Sequence, residues 1–117
     1  MRLSKSRGFT KKERVKQKKE IQNLFKTGKR MSVRGAKLFF LPSDLAFNRV
    51  AFALPRGYGT AVQRNFAKRI SREVYRNLKG ELARSYDLLF LFYPGNDTIS
   101  IRENQIRLLC KKAGLLC

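Results

Sequence analysis

Positively charged side chains recur along one predicted helix, between Thr60 and Lys79. At spacings of i, i+3 and i+4, like charges on a helix repel one another by roughly 0.2–0.5 kcal/mol per pair. A solvated helix would intersperse acids, but Glu73 is the only acid in that stretch. The pattern therefore favours binding to a polyphosphate. The cations are Arg64, Lys68, Arg69, Arg72 and Arg76.

The side chains around these cations suit folded RNA. Arginine can direct two donors onto phosphate oxygens, lysine supplies a point charge, and the Asn65 amide can bond to sugar or base edges. Aromatic rings next to lysines can stack on unpaired bases, although most rings should lie in the core and only one or two should be exposed. The rings are Phe25, Phe39 and Phe40, with Lys26 and Lys37 beside them.

The whole chain is strongly basic. Its 117 residues include 27 Lys or Arg and 8 Asp or Glu, for a formal net charge of +19. Such self-repulsion calls for a polyanionic partner. The longest apolar run, 88–93, is far shorter than the roughly 20 residues that cross a bilayer, and no secretory signal is visible, so the cytoplasm is the default location.

Catalytic side chains are sparse. The chain has no histidine, and its acids are scattered without a dyad spacing, so neither a catalytic group nor a metal site is predicted. Cys110 and Cys117 are interpreted as reduced thiols on a C-terminal helix. Gly57 and Gly59 predict a tight turn rather than a phosphate-binding loop, because no Lys-Ser/Thr follows them.

The first half of the chain predicts a basic arm, a helix and strands. Residues 1–17 form the arm, which should be partly ordered at best. A short helix should run from Lys18 to Thr27 and stop at Gly28. The runs 37–41 and 49–54 predict two strands, interpreted as an antiparallel pair, with a further short strand near 30–35.

The second half predicts a helix, a strand and a helix. Periodic apolar residues between Thr60 and Lys79 predict a long amphipathic helix ended by Gly80. The run 86–93 predicts a strand inside the sheet, because it is apolar on both faces. Ser100 and Glu103 have capping-box spacing, which predicts the start of a C-terminal helix. One α+β domain follows, an α/β sandwich of about four mixed strands with helices packed on the sheet.

Residues 59–73, Gly-Thr-Ala-Val-Gln-Arg-Asn-Phe-Ala-Lys-Arg-Ile-Ser-Arg-Glu, resemble the signature helix of the bacterial ribonuclease P protein component. The basic N-terminal segment, residues 24–28 and 49–52, and the chain length are also similar. The resemblance implies a single RNA-binding domain over 1–117, similar to the second domain of ribosomal protein S5. It also implies an uncommon left-handed crossover between parallel strands, where general rules predict a right-handed one.

The resemblance further implies a role as the protein subunit of the ribonucleoprotein that removes the 5′ leader of precursor tRNA. Catalysis would belong to the RNA subunit with its Mg²⁺ ions, and the protein alone would bind no cofactor. The partners would be ribonuclease P RNA, with one protein per catalytic RNA, and precursor tRNA, and no membrane. Arg64, Asn65, Lys68, Arg69, Arg72, Arg76 and Arg56 would contact RNA, and Phe25, Phe39 and Lys37 would line the cleft for the leader.

Three departures from the family pattern concern this site. Phe66 stands where a second arginine is usual, Ile21 where an aromatic of the leader cleft is common, and residues 55–57 where Ser-Lys-Lys is usual. Arg56 can replace one of those lysine charges.

Other classes of protein share some of these features. A structural ribosomal-type RNA-binding protein would have the same charge and basic arm, but not the signature helix. A metal-dependent nuclease acting without RNA would need convergent carboxylates. A membrane-surface protein would use an apolar helix face that the core needs here.

Overall fold

The computed structural model describes residues 11–95 and 98–116. Its main elements follow the order helix, three strands, helix, strand and helix, which is the order that the sequence predicts. Short 3₁₀ turns span Lys11–Glu13 and Lys79–Glu81. The main elements are α1 (Lys18–Thr27), β1 (Lys29–Val33), β2 (Ala36–Pro42), β3 (Arg49–Ala53), α2 (Ala61–Leu78), β4 (Tyr86–Phe92) and α3 (Ile99–Ala113).

The four strands form one mixed sheet in the order β1-β2-β4-β3. β3 and β4 are parallel neighbours joined through α2, and the other pairs are antiparallel. The predicted pairing of β2 with β3 is therefore wrong, because β4 lies between them. β4 is apolar on both faces, and burying it between two strands removes more apolar surface from water than leaving it at an edge.

The sheet has a fully covered face and a partly covered one. Alternate residues such as Leu38, Leu88 and Phe90 point to one face, where they join α2 and α3 in the larger hydrophobic core. The other alternates, including Phe39 and Leu89, point to the opposite face, where α1 covers them in a smaller cluster. This second face carries the residues predicted to meet the leader.

The N-terminal segment extends the sheet beyond β3. The Val15 N–H donates to the Val50 carbonyl at 3.0 Å, and Arg14 forms a parallel bridge with Val50. Val15 itself is buried in the smaller cluster. Residues 11–17 of the predicted basic arm are thus packed against the edge strand, and residues 1–10 lie outside the described part of the chain.

The helix ends agree with the sequence at α1 and differ at α2 and α3. α1 ends before Gly28, as predicted. α2 was predicted to reach Lys79 and to be stopped by Gly80, but it ends at Leu78, and Lys79 and Gly80 lie within the following 3₁₀ turn. The predicted cap Ser100 lies inside α3, because the Thr98 hydroxyl accepts from the Ile101 N–H and starts the helix two residues earlier.

An ion-paired arginine holds α1 on the sheet. The Arg49 guanidinium donates to both oxygens of Asp87 on β4 at 3.0 and 2.8 Å, and to Glu20 on α1 at 2.9 Å. Hydrogen bonds to Asp87 and Glu20 raise the pKa of Arg49 above its ordinary value. Because it bonds both carboxylates, this side chain fixes the position of α1 relative to the strands.

The cysteine, the acidic residues and the helices bear on the alternative protein classes that the sequence raised. Burial raises the pKa of the Cys110 thiol to about 12, so this side chain behaves as a small apolar core residue. Among the described residues, no three or more His, Cys, Asp or Glu side chains are grouped closely enough to hold a metal ion. No helix in that part of the chain is long and apolar enough to cross a membrane.

Candidate nucleic-acid interface

The outer face of α2 carries the main polar stripe. Asn65, Arg69, Arg72 and Arg76 recur at i, i+4, i+7 and i+11 and so share one side of the helix. Ala67, Ile70, Ser71, Val74, Tyr75 and Leu78 are the buried residues on the other side. The structure therefore brings these four predicted RNA-binding residues onto one outward-facing surface of α2.

The start of α2 is fixed by a capping box. The Thr60 hydroxyl accepts from the Gln63 N–H, and the Gln63 side chain accepts from the Thr60 N–H at 2.9 Å. Gly59 has a φ of 156°, and a Cβ at this position would collide with the Gln63 side chain. The Gly-Thr-x-x-Gln sequence thus sets where α2 begins and so which side chains face outward.

Several cations of α2 keep their charge free for a ligand. Within the described residues, no ion pair joins Lys68, Arg69 or Arg72 to an acid. Arg76 does pair with Glu73, and Arg64 donates to the Pro55 carbonyl at 3.0 Å. Because a carbonyl is neutral, Arg64 keeps its positive charge, and the electrostatic potential of the surface depends mainly on Arg64, Lys68, Arg69 and Arg72.

A groove of about 240 Å³ runs between α2 and the N-terminal segment. Lys68 and Arg72 line one wall, and Arg14 and Lys16 line the other. Its apolar surface comes from Val15, Ile21, Val50, Ala51 and Phe52. We call it the cationic groove. The sequence did not predict that Arg14 and Lys16 lie beside α2, because this contact depends on the segment pairing with β3.

Two of the predicted aromatic residues, Phe25 on α1 and Phe39 on β2, form an edge-to-face pair. The Phe25 ring lies edge-on to Phe39, with centroids 4.9 Å apart. Phe25 is 40% exposed and Phe39 only 7%, so Phe25 offers the accessible ring and Phe39 supports it. Ile21 lies one turn before Phe25 on α1 and also lines the cationic groove, so the ring and the groove are neighbours.

Lys37 lies on the same face of the sheet as Phe39. Its ammonium group is 5.8 Å from the centroid of the Tyr93 ring, within reach of a cation–π contact. Phe40 points to the opposite face and is buried in the larger core, so it has no part in this surface. Of the three rings that the sequence singled out, only Phe25 is exposed, which agrees with the expectation of one or two.

A buried arginine supports the loop before α2. Arg102 on α3 is fully buried, and its Nη2 donates to the Tyr58 hydroxyl and the Tyr93 carbonyl, both at 2.8 Å. The Tyr58 N–H donates to Pro55, and Gly57 between them has a left-handed φ of 82°. Arg56 is exposed in this turn, so Arg102 holds a loop that presents a predicted RNA-binding side chain.

The sequence did not single out Arg102. Its spacing from Ile106 and Leu109 places Arg102 on the apolar side of α3. This spacing was the one sequence feature that indicated its burial. Charged residues are rarely fully buried without partners, so composition alone indicated a solvent-facing side chain.

Comparison with known proteins decides the family. The ribonuclease P family model matches residues 9–114. The chain belongs to the ribonuclease P protein family. The ribonuclease P protein component of Petrotoga mobilis is 34% identical over 111 residues, which cover 89% of this chain and 93% of that protein. The Borrelia hermsii component is 35% identical over 90 residues, covering 76% and 79%.

Solved ribonuclease P protein structures share the fold. A Staphylococcus aureus RNase P protein aligns with a TM-score of 0.82 at 21% identity, covering 91% of this chain and 92% of that chain. The Thermotoga maritima protein aligns with a TM-score of 0.77 at 22% identity, covering 86% and 96%. The resemblance identified from the residues of α2, and the α+β class expected with it, are confirmed.

Membership in this ribonuclease P protein family fixes the general role. The chain is a subunit of an endoribonuclease holoenzyme that acts in tRNA 5′ maturation, and its partner is ribonuclease P RNA.

Proposed function

We propose that this ribonuclease P protein binds the catalytic RNA through α2 and the 5′ leader of precursor tRNA through the adjoining face of the sheet. The unpaired cations on the outer face of α2 are the observation that carries the proposal. The RNA-contacting set is Arg64, Asn65, Lys68, Arg69, Arg72, Arg76 and Arg56. We expect one protein per catalytic RNA.

Catalysis is proposed to reside in the RNA with its Mg²⁺ ions, with no cofactor bound by the protein alone. The state of the carboxylates supports this division of labour. These carboxylates form ion pairs with lysine or arginine side chains of the same chain. They are therefore poorly placed to act as general bases or metal ligands. The ion-paired acids are Glu13, Glu20, Glu73, Glu81, Asp87 and Glu103.

The leader is proposed to follow the partly covered face of the sheet. Phe25 supplies an exposed ring supported by Phe39, and a ring of this kind stacks on unpaired bases without needing a particular sequence. Lys37 lies on the same face, and the cationic groove continues from Ile21 toward Lys68 and can follow a phosphate backbone. The single-stranded leader is the part of the substrate that fits such a path.

Cleavage of precursor tRNA at low Mg²⁺ tests the proposed function. The cognate ribonuclease P RNA is assayed with and without the protein, and the protein is assayed alone. We expect the protein to stimulate cleavage by the RNA strongly and to cleave nothing alone. Its cationic side chains lower the repulsion between ribonuclease P RNA and precursor tRNA. Lack of stimulation would favour a general ribosomal-type RNA binder, and cleavage by the protein alone would favour a metal-dependent nuclease.

Replacing Phe25 tests the leader surface. We expect Phe25→Ala to weaken binding of precursor tRNA to the holoenzyme by about 1–3 kcal/mol, the worth of stacking on one base. Mature tRNA lacks the leader and should be affected much less. Dissociation constants for both RNAs give the comparison, with Leu45→Ala as a control at another exposed apolar residue. Equal losses for both RNAs would assign Phe25 a packing role only.

A further inference from the structure

A second groove lies on the opposite side of α2 from the cationic groove. It has a volume of about 420 Å³ and runs between α2 and the start of α3. The described residues that line it are Phe66, Arg69, Ile70, Glu73, Thr98 and Ile99. We call it the apolar groove.

The apolar groove concentrates exposed hydrophobic side chains that the core does not use. Phe66 is 49% exposed and Ile99 53%, while Ile70 beneath them is already buried. Val62, one turn before Phe66 on the same side of α2, is 78% exposed. Single exposed apolar residues need no explanation, but a contiguous group beside a charged surface indicates a binding site.

The charges around the apolar groove identify the kind of partner. Arg69 lines the groove and has no ion-pair partner among the described residues, and Asn65 is exposed one position before Phe66 in the sequence. The acid that lines the groove, Glu73, is paired with Arg76. An aromatic ring with an unpaired guanidinium beside it complements a nucleotide, whose base is flat and apolar and whose phosphate is negative.

We propose that Phe66 stacks on an unpaired nucleobase of ribonuclease P RNA, while Arg69 binds an adjoining phosphate. This inference rests on the proposed function of α2 and extends it from charge to base contact. The base occupies the apolar groove against Phe66 and Ile99. Stacking of this kind adds affinity that does not depend on salt, in contrast to the phosphate contacts of the neighbouring cations.

Binding of full-length ribonuclease P RNA to Phe66 variants tests this inference. Phe66→Ala should weaken binding by about 5- to 150-fold, the equivalent of one stacked base, with an unchanged salt slope. Phe66→Tyr should bind like the wild type because the ring is kept. Phe66→Leu should lose most of the affinity although it is apolar. Leu108→Ala, at an exposed apolar residue on α3, is the matched control and should have no effect.

The same series separates this inference from the proposal on which it rests. Arg69→Ala should lower the salt slope by about one phosphate. If it does and Phe66→Ala binds like the wild type, the stacking inference is wrong and the α2 interface stands. If Arg64→Ala and Arg69→Ala both leave the slope unchanged, the α2 interface itself is wrong. Full affinity in Phe66→Leu would also overturn stacking.

Sedimentation of the protein without RNA tests the competing occupant. If the wild type is a dimer and Phe66→Ala is a monomer, a second copy of the chain fills the apolar groove and the inference is overturned. We expect both proteins to sediment as monomers. A photo-crosslinking phenylalanine analogue at position 66 should then crosslink to nucleotides of the RNA, and absence of a crosslink in an otherwise active holoenzyme would contradict base contact.

Discussion

Replacing Arg64, Arg69 and Arg72 together by alanine is expected to reduce the salt dependence of binding to ribonuclease P RNA by about three phosphate contacts. Each contact contributes about 0.9 to the slope of log affinity against log salt concentration. Between 50 and 200 mM salt, the wild type should therefore lose about 40-fold more affinity than the triple variant. Arg64→Ala or Arg69→Ala alone should each account for roughly one contact.

The physical reason is counterion release. A cation that binds a phosphate displaces a condensed counterion, and this gain in entropy shrinks as salt rises. A matched triple variant, with Lys29, Arg84 and Lys111 changed to alanine, removes the same charge from exposed positions outside α2. We expect its slope to stay near that of the wild type. Equal salt slopes for the two triple variants would show that the α2 cations contribute no more to RNA binding than exposed cations elsewhere.

The second large effect is expected on stability. Arg102→Met should lower the free energy of unfolding by about 3–5 kcal/mol, a large share of the roughly 5–15 kcal/mol of a typical domain. Methionine fills the space of the arginine stem but removes the guanidinium that donates to several acceptors. These are the Gln105 side chain, the Tyr58 hydroxyl and the Tyr93 carbonyl, each 2.8 Å from an Arg102 nitrogen. Urea denaturation monitored by circular dichroism gives the measurement.

Two further variants separate burial of Arg102 from its charge and from its loop contact. Arg107→Met lies on the same helix, but this arginine is 38% exposed where it pairs with Glu81 and Glu103, so solvent screening should keep its effect much smaller. Tyr58→Phe removes only the hydroxyl and should cost less than Arg102→Met. If the urea midpoint of Arg102→Met is equal to or higher than that of Arg107→Met, the structural role of the buried network is contradicted.

Local sequence patterns predicted most of the elements. α1 and Gly28 followed from apolar spacing and a terminating glycine, and β4 followed from a continuous apolar run stopped by Pro94 and Gly95. These features depend on residues close in sequence, so periodicity and turn chemistry suffice. The α2 stripe was predictable for the same reason, because one helix carries all of it.

Long-range contacts were not predictable in this way. The hairpin expected between β2 and β3 is replaced by pairing of both with β4, which depends on how much apolar surface each arrangement buries. The approach of Arg14 to Lys68 depends on the N-terminal segment joining β3. The start of α3 was misplaced because Thr98 and Ser100 both precede plausible first turns, and the observed hydrogen bond to the Ile101 N–H selects Thr98.

The two hydrophobic clusters differ in size, and this difference divides the protein into regions of unequal local stability. α1 and residues 11–17 rest on the smaller cluster. Arg49 attaches α1 to the sheet, and the Val15–Val50 hydrogen bond and the Lys79–Glu13 ion pair attach residues 11–17. The amides of α1 can therefore exchange with deuterium through a partial opening that leaves the larger core folded. Phe25 belongs to this less stable region, so an RNA bound against it would slow exchange along α1 more than in β4.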